Sequence, residues 1–133
     1  MRRLSLLFIA LGLVVGTAVF YYLYTLATDS QWRISADEAR EKLARGYFDV
    51  VLDVRTLAER QALGFYPNSI HIPAGDIETL VPLRFPEKGI SILVYCNTGH
   101  RARLATDKLH DLGYVNAQYI SSSHLSILGP ESK

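Results

Sequence analysis

Cys96, the only cysteine among 133 residues, opens the run Cys96-Asn97-Thr98-Gly99-His100-Arg101. An apolar stretch, Ile90 to Tyr95, leads into it, and a helically patterned segment, Ala102 to Leu112, follows. The pattern puts one thiol at the carboxyl end of a buried strand, in a tight loop that feeds a helix amino terminus. Backbone N–H groups at such a start lack intrahelical partners and carry partial positive charge, which suits a thiolate or an anionic substrate. The thiolate is the nucleophilic form of cysteine. Gly99 permits the dihedral a tight loop demands, and His100 and Arg101 add positive potential that favours the thiolate. The competing reading is a buried cysteine acting as a small hydrophobe, so the chemistry turns on what surrounds the loop.

Positioning such a loop takes a sheet and flanking helices. Ser35-Ala36-Asp37-Glu38 has the form of a capping box, with Ser35 bonding the first turn and Glu38 reaching back. It predicts a helix from Ala36 to Arg45, with Ala39 and Leu43 on one face and Gly46 as its stop. Phe48 to Val54 is a near-continuous apolar run and predicts a buried strand. Leu57 to Leu63 predicts a short helix ending at Gly64, Ser69 to Ile72 a brief strand closed by Pro73, and Asp76 to Val81 a short helix bounded by Pro82. Ile90 to Tyr95 is the strand before the cysteine, Gly113 stops the helix after it, and Gln118 to Ile120 is a last short strand. Alternating short strands and helices predict an α/β domain with a mainly parallel sheet.

In open sheets of this kind, sites form at the carboxyl ends of strands. Asp53-Val54-Arg55 ends one predicted strand and Cys96 ends another, so the two motifs are expected on one rim. Asp53 has two readings that stay open: a structural one, capping a turn or pairing with Arg55 or Arg101, and direct participation in chemistry. Tyr95 is expected to pack in the core and Arg103 to be a solvated helix charge. His71, His110 and His124 show no metal-ligand spacing, so no metal and no cofactor are assigned.

The amino-terminal segment is of a different kind. Leu4 to Leu26 carries no charged residue, and a helix needs about 20 apolar residues to cross a bilayer core. Arg2 and Arg3 precede the run, while Phe20, Tyr21, Tyr22 and Tyr24 gather at its far end as an interfacial belt does. A cleaved signal has an apolar region of roughly 7–15 residues and a small-residue cleavage site; this run is longer, and Thr25 and Ala27 make only a partial small-x-small pattern. An uncleaved anchor over residues 4–26 is the expectation. Arg2 and Arg3 favour a cytoplasmic amino terminus, which would place Trp32 to Lys133 on the non-cytoplasmic, periplasmic side; Arg33, Arg40, Lys42 and Arg45 after the span weaken that asymmetry. Two units are thus expected, 1–28 as the anchor (or uncleaved signal) and 29–133 as the α/β domain, with Thr28-Asp29-Ser30-Gln31 as a polar link. With 14 basic and 13 acidic side chains the net charge is +1, which gives no nucleic-acid surface.

Taken in order, these motifs resemble a rhodanese-like sulfurtransferase domain from about Ile34 to about Leu128. Leu52-Asp53-Val54-Arg55 matches the family's first signature, with Glu59 where an acidic residue is usual. Gly64 to Pro73 matches the stretch that normally reads Gly-His-Ile-Pro-Gly-Ala before a strand and a proline. Cys96 to Arg101 matches the active-site loop, and Leu112-Gly113-Tyr114 the end of the next helix. Phe65-Tyr66 departs from the usual His-Ile pair and Asn68-Ser69 from Gly-Ala. Ser122-Ser123 stands where Gly-Gly is familiar, and Ile127 where a tryptophan is common.

The resemblance implies a three-layer fold, a mainly parallel central sheet flanked by helices, here preceded by one transmembrane helix. It implies a sulfurtransferase in which Cys96 takes sulfane sulfur from thiosulfate or a persulfide donor, holds it as a persulfide and passes it to cyanide, glutathione or a protein thiol. Asn97, Thr98, Gly99, His100 and Arg101 would then form the substrate-binding loop, their N–H groups aimed at the terminal sulfur, with Asp53 and Arg55 in support. The alternative is a non-catalytic rhodanese-like binding or sulfide-sensing module tethered to the membrane. Cysteine phosphatases are similar but carry Cys-x5-Arg; Cys96 to Arg101 is Cys-x4-Arg, a smaller cradle that favours one sulfur atom over a tetrahedral phosphate.

Overall fold

The computed structural model describes residues 2–28 and 30–129; Met1, Asp29 of the predicted link and residues 130–133 at the predicted domain's end lie outside the described residues. The chain divides into two units, Met1–Gln31 and Trp32–Lys133. The first holds one helix, α1 (Arg2–Thr28). Its stretch Ser5–Tyr24 is long and apolar enough to cross a membrane, and none of it is buried within the protein. By length and composition it meets what a membrane anchor or a signal sequence requires.

The second unit is an α/β domain. In chain order it contains α2 (Ala36–Ala44), β1 (Val50–Asp53), α3 (Leu57–Leu63), β2 (Ile70–His71), α4 (Ile77–Arg84), β3 (Ser91–Tyr95), α5 (His100–Asp111) and β4 (Asn116–Tyr119), with 3-10 turns at Ala74–Asp76 and His124–Ser126. The four strands form one sheet in the order β2-β1-β3-β4, and every pairing is parallel. Parallel neighbours need crossovers, and the helices between strands supply them.

Period-two alternation assigns the two faces of the sheet. Leu52 of β1, Ile92 and Val94 of β3 and Ala117 of β4 pack with Ile77 and Val81 of α4 and Ala105 and Leu109 of α5. Leu93 and Tyr95 point the other way, to Ala39 of α2, Ile34, Ile120 and Ile127. Helices on both faces give three layers. Ile127 takes up core volume on the α2 face, where the resemblance leads one to expect a tryptophan, and is itself buried.

Several boundaries differ from the expectations, for identifiable reasons. The helix predicted to stop before Pro82 runs from Ile77 to Arg84 with Pro82 inside it. Buried Ile77 and Val81 hold its inner face, and the Phe85 N–H donates to the Val81 carbonyl at 2.8 Å beyond the proline. The last strand is Asn116–Tyr119, not Gln118–Ile120, because its register is set by pairing Ser91↔Asn116 through Val94↔Tyr119. At α2 only half of the predicted box forms: Ser35 accepts from the Glu38 N–H at 3.1 Å, but the Glu38 carboxylate pairs with Lys42 at 2.8 Å. The helix after the cysteine begins at His100, earlier than the predicted Ala102.

Candidate functional site

Cys96 follows β3 directly and is fully buried. The chain turns at Gly99, φ +95°, and α5 begins at His100. This brings the Gly99 N–H back over the thiol, donating to Cys96 Sγ at 3.0 Å. A side chain at Gly99 is doubly disfavoured: φ is left-handed, and a Cβ there would sit 2.5 Å from the Ser121 Cα. The segment after β4 thus presses against the cysteine loop. Thr98 and His100 are exposed, Asn97 and Arg101 half-buried.

β1 and β3 are registered with Asp53 opposite Tyr95, and a polar network grows from that pair. Asp53 Oδ2 accepts from the Tyr95 hydroxyl at 2.9 Å, from Arg55 Nη2 at 2.7 Å and from Arg60 Nη1 at 3.0 Å. Asp53 Oδ1 accepts from Arg55 Nε at 2.9 Å. Burial pushes the Asp53 carboxyl up, but the hydrogen bonds from Arg55 and Tyr95 together with the Arg55 charge outweigh it, and the group sits below its ordinary pKa. Burial pushes the Tyr95 phenol up. Arg55 also donates to the Gly64 carbonyl at 2.7 Å and reaches Asn97 Oδ1 at 3.4 Å, so the network touches the cysteine loop. Of the two structural partners foreseen for Asp53, the structure brings in Arg55 and not Arg101.

Arg101 is engaged by Glu59, Nη1 to Oε2 and Nη2 to Oε1 both at 2.7 Å. Glu59 is presented by a full capping box at the start of α3, accepting from the Thr56 N–H at 2.9 Å while Thr56 Oγ1 accepts from the Glu59 N–H at 3.2 Å. Asn97 Nδ2 also donates to Glu59 Oε1, at 2.9 Å. The Arg101 hydrogen bonds, then the Thr56 N–H, hold the Glu59 carboxyl far below the usual carboxylate range. One carboxylate therefore fixes both ends of the loop that Cys96 opens.

Three participants escaped the reading of the sequence as site residues: Glu59, Arg60 and the Tyr95 hydroxyl. Thr56-x-x-Glu59 was a usable capping signal for the first. Nothing local marks Arg60, which donates to Asp53 and to the Ser69 hydroxyl at 2.9 Å and lies 3.7 Å from the Phe65 ring centre. The departures around Gly64 fit this frame. Asn68 takes φ +60°, a conformation asparagine tolerates better than most residues, where the family pattern has glycine. His71 reaches the Arg55 carbonyl at 2.8 Å, and Arg103 faces Asp107 at 3.8 Å. The His124 ring, 6.0 Å from that of Tyr95, holds the one buried side-chain nitrogen or oxygen without a hydrogen-bond partner among the described residues, Nδ1. Burial, then the Arg55 charge, lowers its pKa. Among the described residues no cluster of three or more His, Cys, Asp or Glu is arranged to hold a metal ion.

A family model described as Rhodanese-like domain matches residues 35–124, a span that holds the cysteine loop after β3 and the acid of α3 that pins it. The chain belongs to the rhodanese-like domain family. Solved rhodanese-like structures superpose on it. A human single-domain sulfurtransferase, TSTD1, has a TM-score of 0.63 and 27% identity, covering 77% of this chain and 100% of its own. A rhodanese-related protein from Thermoplasma volcanium has a TM-score of 0.60 and 27% identity, covering 71% of this chain and 88% of its own. The single-domain sulfurtransferase RDL2 of Saccharomyces cerevisiae, at 22% identity and a TM-score of 0.57, covers 75% of this chain and 90% of its own and shares the fold. No curated protein matches the chain by sequence. Membership of the rhodanese-like family and the likeness to the human single-domain sulfurtransferase support a sulfurtransferase-type role.

Proposed function

We propose that this rhodanese-like chain is a membrane-anchored sulfurtransferase that carries sulfane sulfur on Cys96, from thiosulfate or a persulfide donor to cyanide, a small thiol or a protein thiol. The observation that carries the reading is the Gly99 N–H at 3.0 Å from Cys96 Sγ, at the floor of a loop whose ends Glu59 fixes through Asn97 and Arg101. Transfer begins when the Cys96 thiolate attacks the outer sulfur of the donor; the S–S bond breaks and its electron pair leaves with sulfite or the donor thiolate. The persulfide then carries its negative charge on the terminal sulfur, where N–H groups at the start of α5 would stabilise it. Asn97, Thr98, Gly99, His100 and Arg101 shape that cradle. Asp53 and Arg55, bonded to each other, support it, with Arg55 reaching Asn97 Oδ1 at 3.4 Å. An acceptor thiolate or cyanide takes the outer sulfur and returns Cys96 to its starting state.

The stretch Ser5–Tyr24 is read as the anchor, with the domain on the non-cytoplasmic, periplasmic side. The full chain in detergent, supplied with thiosulfate and cyanide, should form thiocyanate, and Cys96→Ser should form none. Equal turnover by both proteins would overturn the assignment. A second reading, a membrane-tethered binding or sulfide-sensing module, is favoured by the complete burial of Cys96. Intact-mass measurement after persulfide treatment separates the two, since a silent cysteine gains no sulfur atom.

A further inference from the structure

α3 is built inside out. Its two charged side chains turn inward and are engaged: Glu59 takes Arg101 and Asn97, and Arg60 donates to Asp53 and Ser69. Its other residues, Leu57, Ala58, Gln61, Ala62 and Leu63, are all exposed. A surface helix in water ordinarily shows the reverse, with its apolar stripe on the core and its charges outside. The uncharged stretch runs on, since no residue from 61 to 70 carries a charge. Leu125 joins the same face: it follows buried His124, whose Nε2 lies 3.8 Å from where a Cβ on Gly64 would stand. Leu57, Leu63, Phe65 and Leu125 are 56, 55, 48 and 66% exposed. They stand at the rim that holds the cysteine loop, because α3 leaves the carboxyl end of β1 and Glu59 bonds that loop. Exposed leucines of the other helices lie among charges: Leu80 and Leu83 of α4 beside exposed Glu78 and Arg84, and Leu104 of α5 after Arg103.

We propose that this face rests on lipid: Leu57, Leu63, Phe65 and Leu125 enter the headgroup boundary of the bilayer that anchors the chain and lay the cysteine-loop rim against it. The proposal rests on the reading of Ser5–Tyr24 as an anchor and is independent of what Cys96 transfers. Trp32, where the α/β domain begins, is eight residues beyond Tyr24, a span of at most about 28 Å. A domain of about 100 residues has a radius of gyration of about 13 Å, so the link keeps it at the surface. Four apolar side chains fall far short of the roughly 20–30 residues that each partner brings to a stable protein interface. They suffice for a domain already tethered, since the tether makes docking intramolecular. Leucine and phenylalanine are also what interfacial helices bury at the boundary of headgroups and acyl chains. Repulsion from anionic headgroups is small, because Glu59, the one acid of α3, is paired with Arg101.

The test places an environment-sensitive dye on the full chain in phosphatidylcholine–phosphatidylglycerol vesicles, through Leu63→Cys or Leu125→Cys in a Cys96→Ser background. Val115→Cys is the control: Val115 is 64% exposed but precedes β4, at the opposite rim of the parallel sheet. Nitroxide-labelled lipid should quench the dye at the Leu63 and Leu125 positions several-fold more than at Val115, and emission there should lie further to the blue. Leu63→Glu, an exposed change that leaves the melting temperature in detergent in place, should cut the quenching at the Leu125 position several-fold. Equal quenching at all three positions, in a chain that stays with the vesicles through an alkaline carbonate wash, overturns the lipid face alone. Blue-shifted emission without nitroxide quenching gives the face to a second copy or another protein and overturns it as well. Chain released by the wash sinks the anchor reading and the lipid face with it.

Discussion

Arg101 and Glu59 meet in a two-point pair, both contacts at 2.7 Å, across 42 residues of sequence. One partner lies in the first turn of α5 and the other in the first turn of α3. The pair therefore ties the helix that follows the cysteine to the helix that follows β1. Two parallel N–H···O bonds fix direction as well as distance, which a single lysine contact does not do. Asn97 donates to the same carboxylate, so the loop is held before any substrate arrives.

Glu59→Gln keeps the shape of the side chain and removes its charge. The amide offers one acceptor where the carboxylate offered two, so Arg101 loses its second bond and the loop its fixed end. Persulfide formation on Cys96 should slow about tenfold or more, since small misplacements at a reacting centre cost that much, while melting falls by only a few degrees because the pair is partly exposed. Stopped-flow sulfur transfer from thiosulfate beside a thermal melt checks both. An unaltered rate would mean that the pair has no bearing on the loop.

Gly99→Ala and Gly113→Ala make a matched comparison. Both glycines have φ above +90°, so both substitutions carry the left-handed dihedral cost of about 1 kcal/mol. Only at Gly99 does the new Cβ meet backbone, the Ser121 Cα at 2.5 Å; at Gly113 the nearest atom is a Lys88 side-chain carbon at 3.8 Å. The Gly113 variant should melt about 4–8 °C lower, and the Gly99 variant should melt lower still and lose sulfur transfer. Equal melting temperatures would show that the Gly99–Ser121 approach relaxes without cost.

How far the sequence led depended on how local each signal was. Leu57 to Leu63 was found to the residue, its stop at Gly64 being adjacent in the chain. β4 was misplaced because its limits come from pairing with β3 rather than from its own residues. Pro82 misled because buried Ile77 and Val81 outweigh a missing hydrogen bond. The site followed the same rule. The Cys96 loop and Asp53-Val54-Arg55 are contiguous motifs and could be read directly. The Tyr95 hydroxyl belongs to the Asp53 network only through the register of β1 on β3, and Arg60 only through where α3 sets it beside the end of β1, neither of which the sequence announces.

Asp53 is the single anion facing Arg55 and Arg60 in that network, and the Asp53 and Arg55 side chains are both wholly buried. Asp53→Asn leaves two guanidinium charges without their counter-charge, and breaking a buried pair from one side costs about 3–5 kcal/mol. That is a large part of the roughly 5–15 kcal/mol that holds a domain together. The urea midpoint of the variant should drop accordingly, whereas Arg60→Met, which removes a partly exposed partner and leaves the Asp53–Arg55 pair, should lower it far less. Comparable midpoints for the two variants would contradict the central place given to Asp53.

His124 holds a buried Nδ1 without a hydrogen-bond partner among the described residues. The charged and titratable groups that act on it are Asp53, Arg55 and Arg60, with the Tyr95 ring alongside. Burial comes first in lowering its pKa, and the Arg55 charge adds to it. A histidine that is harder to protonate folded than unfolded contributes stability that is present above its ordinary value, about 6.5, and lost as pH falls from there through the folded value. In that window the unfolded chain binds the extra proton, with a limiting slope of about 1.4 kcal/mol per pH unit. Urea midpoints taken between pH 7.5 and 5.5 should therefore decline on acidification, and His124→Phe, which keeps a ring in the pocket but cannot take a proton, should decline less steeply. Parallel slopes for the two proteins would place the acid sensitivity elsewhere. Because His124 lies three residues beyond Ser121, the residue packed on Gly99, sulfur transfer should weaken over the same pH range in the wild-type chain more than in the variant.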